Sequence, residues 1–140
     1  MEKQEVIDLI KDTQYGCLAT SENGGQPKNR PMMPYLDDDG NLLLAVLSTS
    51  RTIDQVKKNP KVEMCYIDRK MWYARVTGQA AISEDLDKKS TVFNNIPMLR
   101  QYFSGPEDPN LVLIEIKTIS AEAMNPHQQQ PDIFTDLKET

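Results

Sequence analysis

A chain of 140 residues and 15.9 kDa has room for one domain with a real core and not for two ordinary ones. A net charge of −5 and a pI near 4.9 exclude a broadly basic face for nucleic acid or an anionic membrane, so a bound anion needs a local pocket. No apolar run approaches the length of a membrane span, and the single histidine, His127, lies in a Pro/Gln-rich tail, which leaves no metal site and no Cys–His nucleophile in view.

Taken in order, Val6, Ile7, Leu9 and Ile10 fall on one side of a helix over residues 2–13. A strand is expected over Tyr15–Thr20, then an Asn23-Gly24 hairpin turn and a second strand from Lys28 to Leu36. Pro31 and Pro34 cannot donate to a ladder, so that second strand belongs at an edge, at a bulge or beside a cleft. The start, Met-Glu-Lys-Gln-Glu, lacks a signal peptide's basic and apolar regions, and Cys17 and Cys65 sit in apolar strand-like segments. The expectation is a cytoplasmic protein with two reduced, buried thiols.

The run Leu42–Leu47 is unbroken and apolar, as for a strand buried on both faces. It then turns polar at once: Ser48, Thr49 and Ser50 are candidate N-caps, Arg51 adds a charge, and Ile53 and Val56 recur at helical spacing until Asn59-Pro60. Free N–H groups, the helix dipole, three hydroxyls and a guanidinium would converge at that junction, so it is a candidate phosphate site.

Val62, Met64 and Tyr66 alternate along a fourth strand, Lys61–Asp68, and a long fifth strand covers Met71–Ile82. Gly78 inside the fifth strand predicts a bulge or a close backbone approach. Ser83 is read as the N-cap of an acidic helical region, Ile96–Phe103 as a second helical piece, and Leu111–Met124 as two strands separated by Lys117–Ser120. Ile133, Phe134 and Leu137 are expected to pin the tail to the body or to a second subunit. Short antiparallel strands with turns at this spacing fit a small barrel, mainly β with flanking helices and six or seven strands.

Four segments in this order resemble the pyridoxamine-phosphate-oxidase-like, FMN-binding split barrels, particularly their short general-stress-protein branch. They are Gly16–Ser21 with Asn23-Gly24, Arg30-Pro31-Met32, Ser50-Arg51-Thr52 with Val56 and Asn59–Val62, and Tyr73–Ala80. The resemblance covers about residues 5–124 and implies a homodimeric antiparallel split barrel with FMN in the cleft between subunits. The domain is then residues 1–125, and residues 126–140 are the tail that its own composition and apolar residues predict to pack on the body or the partner.

Carried onto this chain, it implies that Arg30, Ser50 and Arg51 hold the phosphate, with Ser48 and Thr49 beside the ribityl chain or ring. Met32 would lie against the isoalloxazine, and Tyr73, Arg75 or Gln79 would approach from the other subunit. Thr52 completes the candidate set but stands where the family usually carries Lys, so one phosphate charge is missing. The C-terminal segment that shapes the pyridoxal-phosphate site in the true oxidases is absent or replaced, which argues against vitamin B6 oxidation. The first functional reading is a small FMN-dependent oxidoreductase with a small-molecule electron donor and acceptor and no identified catalytic residue. The alternatives are a non-catalytic flavin or F420 binding or sensing protein and, ranked last, a haem-binding relative.

Overall fold

The computed structural model describes residues 1–139. The chain runs α1 (Lys3–Thr13), β1 (Gly16–Ser21), β2 (Pro27–Met32), β3 (Tyr35–Leu36), β4 (Leu42–Leu47), α2 (Arg51–Lys58), β5 (Lys61–Ile67), β6 (Tyr73–Ser83), α3 (Leu86–Asn95), β7 (Leu111–Met124) and β8 (Asp132–Phe134). The strands form one antiparallel sheet in the order β2-β1-β5-β6-β7-β4-β3, with β8 added alongside β7.

β2 and β3 lie at opposite ends of that order, yet only Met33 and Pro34 separate them in the chain. Three Cα steps span at most about 11 Å, so the two ends of the sheet lie close together and the sheet curls into a split half-barrel. The single strand expected from Lys28 to Leu36 is therefore two. Pro34 lacks a donor and restricts Met33, and the pieces on either side pair with different neighbours, β1 and β4.

Strand alternation fills the curl. Leu18, Leu42, Leu44, Met64, Tyr66, Val76, Ile114 and Ile116 point inward, and α1 closes the core with Val6, Ile7, Leu9 and Ile10. Ile53 and Val56 bring α2 onto the same core. One helical face is therefore apolar and the opposite face is left for polar residues.

Leu111–Met124 is one strand of 14 residues and not two. Its polar middle stays in the ladder because Thr118 N–H donates to Asn41 Oδ1 at 3.0 Å and Thr118 Oγ1 donates to Gly40 O at 2.6 Å. The bulge expected at Gly78 is present: Thr77 pairs with Ser120 and Gly78 with Thr118, so Ile119 is the extra residue.

The cap of α3 is Asp85, whose side chain accepts from Lys88 N, and not Ser83, which lies at the end of β6. Beyond β7 the tail returns as β8, where Phe134 packs against the core and Leu137 is 1% exposed. Ile133 does not pin the tail to the body of its own chain, because alternation in β8 turns it outward and leaves it 68% exposed.

Candidate functional site

β4 delivers the site. Val46 is buried at its end, Leu47 turns outward, and the chain then makes a tight turn in which Ser50 N–H donates to Leu47 O at 2.8 Å. Ser48 and Thr49 are exposed on that turn, and Ser48 N–H is tied to Asn110 O at 2.8 Å. Ser50 is the N-cap of α2, its Oγ accepting from Thr52 N–H at 3.2 Å. Arg51 opens the helix, is exposed, and has no ion pair among the described residues.

Thr52 turns the other way. At 6% exposure it belongs to the buried face of α2 with Ile53 and Val56, so the position where a lysine was expected carries no cation outward. Arg51 shares a groove of about 320 Å³ with Ser21, Glu22, Asn23, Asp54, Gln55 and Lys58. Lys58 is two helical turns from Arg51, about 10 Å along the axis, which leaves Arg51 as the cation at the helix start. Glu22 and Asp54 make the same groove less hospitable to an anion away from that start.

Arg30 is brought to the same side of the molecule, but already engaged. It donates from one guanidinium nitrogen to Leu18 O at 3.1 Å and from the other to Gln55 Oε1 at 2.6 Å. Gln55 Oε1 also accepts from Thr20 Oγ1 at 2.8 Å, and its amide donates to Glu22 Oε1 at 3.1 Å. Burial pulls the Arg30 guanidinium below its ordinary value while the Glu22 charge opposes it, and an arginine so shifted stays charged. Sequence reasoning missed Thr20, Glu22 and Gln55. The available signal was helical spacing, since Gln55 stands four residues after Arg51 on one face of α2.

Met32 packs half-buried at the end of β2 and helps line an apolar groove of about 360 Å³. The other walls are Pro31 and Met33, Val46 and Leu47 of β4, Tyr15, and the segment after α3 from Ile96 to Phe103. A neighbouring cleft of about 430 Å³ shares Tyr15, Met33, Ile96 and Met98 and continues toward Gln14, Tyr35 and Asp38. These volumes are in the range of small-molecule sites.

Tyr73 and Gln79 are on the outward face of β6, opposite the face that sends Ala74, Val76 and Ala80 into the core. Tyr73 OH lies 3.7 Å from Met124 Sδ, and the Arg75 guanidinium sits 5.7 Å from the Tyr73 ring centre while it pairs with Glu122. Gln79 is exposed between Lys61 and Lys117 in register. Among the predicted residues, then, the fold gathers Ser48, Thr49, Ser50 and Arg51 in one turn, sets Arg30 and Met32 nearby on β2, buries Thr52, and sends Tyr73 and Gln79 to another face.

The family model described as Pyridoxamine 5'-phosphate oxidase like matches residues 1–137. The chain belongs to that family. General stress protein 26 of Bacillus subtilis (strain 168) is 27% identical over 133 residues, 92% of each chain. The crystal structure of General Stress Protein 26 from Bacillus anthracis str. Sterne superposes with a TM-score of 0.82 at 28% identity, covering 95% of this chain and 97% of that one.

Two more distant structures share the fold alone. One is a pyridoxamine 5'-phosphate oxidase-related, FMN binding protein from Nostoc punctiforme PCC 73102, at 15% identity, TM-score 0.71 and coverage of 93% and 87%. The other is a heme binding protein from Mycobacterium smegmatis, at 14% identity, TM-score 0.77 and coverage of 96% and 58%. This member of the pyridoxamine 5'-phosphate oxidase like family has no helix among its described residues long and apolar enough to cross a membrane.

Proposed function

We propose that this chain is an FMN-binding flavoprotein that works as a small oxidoreductase, a homodimer in the cytoplasm. The observation that carries the reading is continuity along β4: Val46 and Leu47 wall an apolar groove, and the next four residues are the Ser48–Arg51 turn. An amphipathic ligand with a flat apolar end and an anionic end matches that sequence of surfaces. Met32 offers a soft, polarisable wall to a ring, exposed hydroxyls of Ser48 and Thr49 suit a polyol, and Arg51 at a helix start suits a phosphate.

The donor set fits FMN with one reservation in number. Thr52 is buried, so the phosphate draws its charge from Arg51, with Arg30 in support. Two of the five guanidinium donors of Arg30 are committed to Leu18 O and Gln55, and the rest remain for a ligand. Tyr73, Arg75 and Gln79 act from the partner subunit, across the outward face of β6. Bound flavin supplies the hydride and electron chemistry, so the protein's part is to hold and orient it and to leave room for a small donor and acceptor.

The test is an absorption spectrum of the purified protein followed by titration of FMN, FAD, F420 and haem. Flavin uptake at one per subunit that Arg51→Ala weakens supports the reading, and uptake indifferent to Arg51→Ala sinks it. Catalytic turnover with NADH or NADPH separates an enzyme from a binding protein, for which binding without accelerated reduction is the signature.

A further inference from the structure

Two thiols take no part in that site. Cys17 on β1 and Cys65 on β5 are free, and they face each other directly in the antiparallel register. Directly opposed residues have Cα atoms about 4.5–5.5 Å apart, inside the roughly 4.4–6.8 Å that a disulfide spans. Their ladder neighbours Leu18 and Met64 are fully buried, so alternation puts both sulfurs on the outer face of the sheet. The expectation of buried thiols is thus corrected: Cys17 is exposed and Cys65 only partly covered.

We propose that Cys17 and Cys65 form a thiol–disulfide exchange site that closes to an intrachain disulfide with a small disulfide oxidant of the oxidised glutathione class. The exposed Cys17 is the entry point. Its thiolate attacks one sulfur of the oxidant, the oxidant's S–S bond breaks, and one small thiol leaves, with a mixed disulfide remaining on Cys17. Cys65 then gives its proton to solvent and attacks Cys17 Sγ, and the second small thiol leaves. The two protein thiols lose two electrons and the oxidant gains them.

The surroundings of Cys65 make it the second thiol to react. Burial pushes its thiol up, which keeps it protonated and quiet in the reduced protein, while Arg75, its register partner on β6, pulls the other way. The Arg75 guanidinium is itself paired with Glu122, and its Nε is buried with no hydrogen-bond partner among the described residues.

The experiment uses the reduced full chain, incubated with oxidised glutathione, blocked with N-ethylmaleimide and read by intact mass, peptide mapping and a non-reducing gel. Closure predicts loss of two hydrogens per chain, no alkylation, a linked Cys17–Cys65 peptide and monomer mobility on the gel. Cys65→Ser should trap one glutathione at Cys17, and Cys17→Ser should react far more slowly than the native chain. Stable glutathione on both thiols, an interchain link, or two alkylated thiols after oxidant would each overturn the proposal. None of these outcomes depends on whether the protein binds FMN.

Discussion

At the scale of single residues, Arg51 and Ser50 share a turn but answer to different forces. Arg51 is exposed and unpaired among the described residues, so its removal touches little of the fold. A charged hydrogen bond contributes about 1.5–3 kcal/mol, and Arg51→Ala should raise the Kd for FMN about 10- to 150-fold with an unchanged melting temperature, as read by calorimetric titration and thermal unfolding. Ser50→Ala should instead lower stability by about 1 kcal/mol in urea unfolding, because it removes the acceptor for Thr52 N–H. Tyr66 stands apart: it is fully buried, and its hydroxyl has no hydrogen-bond partner among the described residues. Burial raises its pKa above the ordinary tyrosine range near 10, so the folded chain holds a proton that the unfolded chain releases. Stability from this group is complete below about pH 10 and is lost as pH rises beyond it. Tyr66→Phe should add about 1–3 kcal/mol at neutral pH and flatten the alkaline loss; a destabilised variant would show that the hydroxyl is solvated after all.

At the scale of elements, the close crossing of β6 and β7 at Gly78 sets the bulge. A Cβ there would meet Ile116 Cγ2 at 2.5 Å and the Lys117 carbonyl oxygen at 2.6 Å, and the second obstacle is backbone that cannot swing away. Gly78→Ala should cost about 1–3 kcal/mol in chemical denaturation, and a smaller loss would mean that the ladder relaxes there without strain. What the sequence disclosed about elements follows from how local the signal is. Ser50 and Asn59-Pro60 bound α2, and the alternation Val62, Met64, Tyr66 marks β5, because caps and periodicity are properties of neighbouring residues. β7 reads as two strands because Lys117–Ser120 is polar, and the bonds from Thr118 to Gly40 and Asn41 that keep it in the ladder come from some 77 residues away. The same limit hid half the site. Helix spacing shows that Arg51 and Gln55 share a face, but only the fold brings Thr20, Glu22 and Arg30 to Gln55, or the segment after α3 to the wall opposite Met32.

At the scale of the whole molecule, the question is what holds the tail across the curled sheet. Three ion pairs tie it to the front of the chain: the N-terminal amine with Asp132, Lys3 with Asp136, and Lys11 with Glu139. Lys11–Glu139 is exposed and the other two are part-buried, each with one partner open to solvent, and pairs at the surface contribute about 0–1 kcal/mol and are weakened further by salt. Leu137 is a different case, since it is 1% exposed and sits in the same core cluster as Val6, Ile7 and Leu42. Its backbone also covers Gly40, whose φ of +81° and 2.6 Å approach from an added Cβ to Leu137 C leave no room for a side chain. Truncating a buried leucine costs about 2–5 kcal/mol, so burial should dominate charge in docking the tail. Leu137→Ala is expected to lower the urea midpoint strongly, and Lys3→Ala with Lys11→Ala together by no more than about 1–2 kcal/mol. The reverse ranking, with 1 M salt matching the loss from the lysine variants, would make the tail an electrostatic strap. The stated ranking instead makes Leu137 part of the core, with Phe134 packed against that core, so that the tail contributes to the stability of the curl behind the Ser48–Arg51 turn.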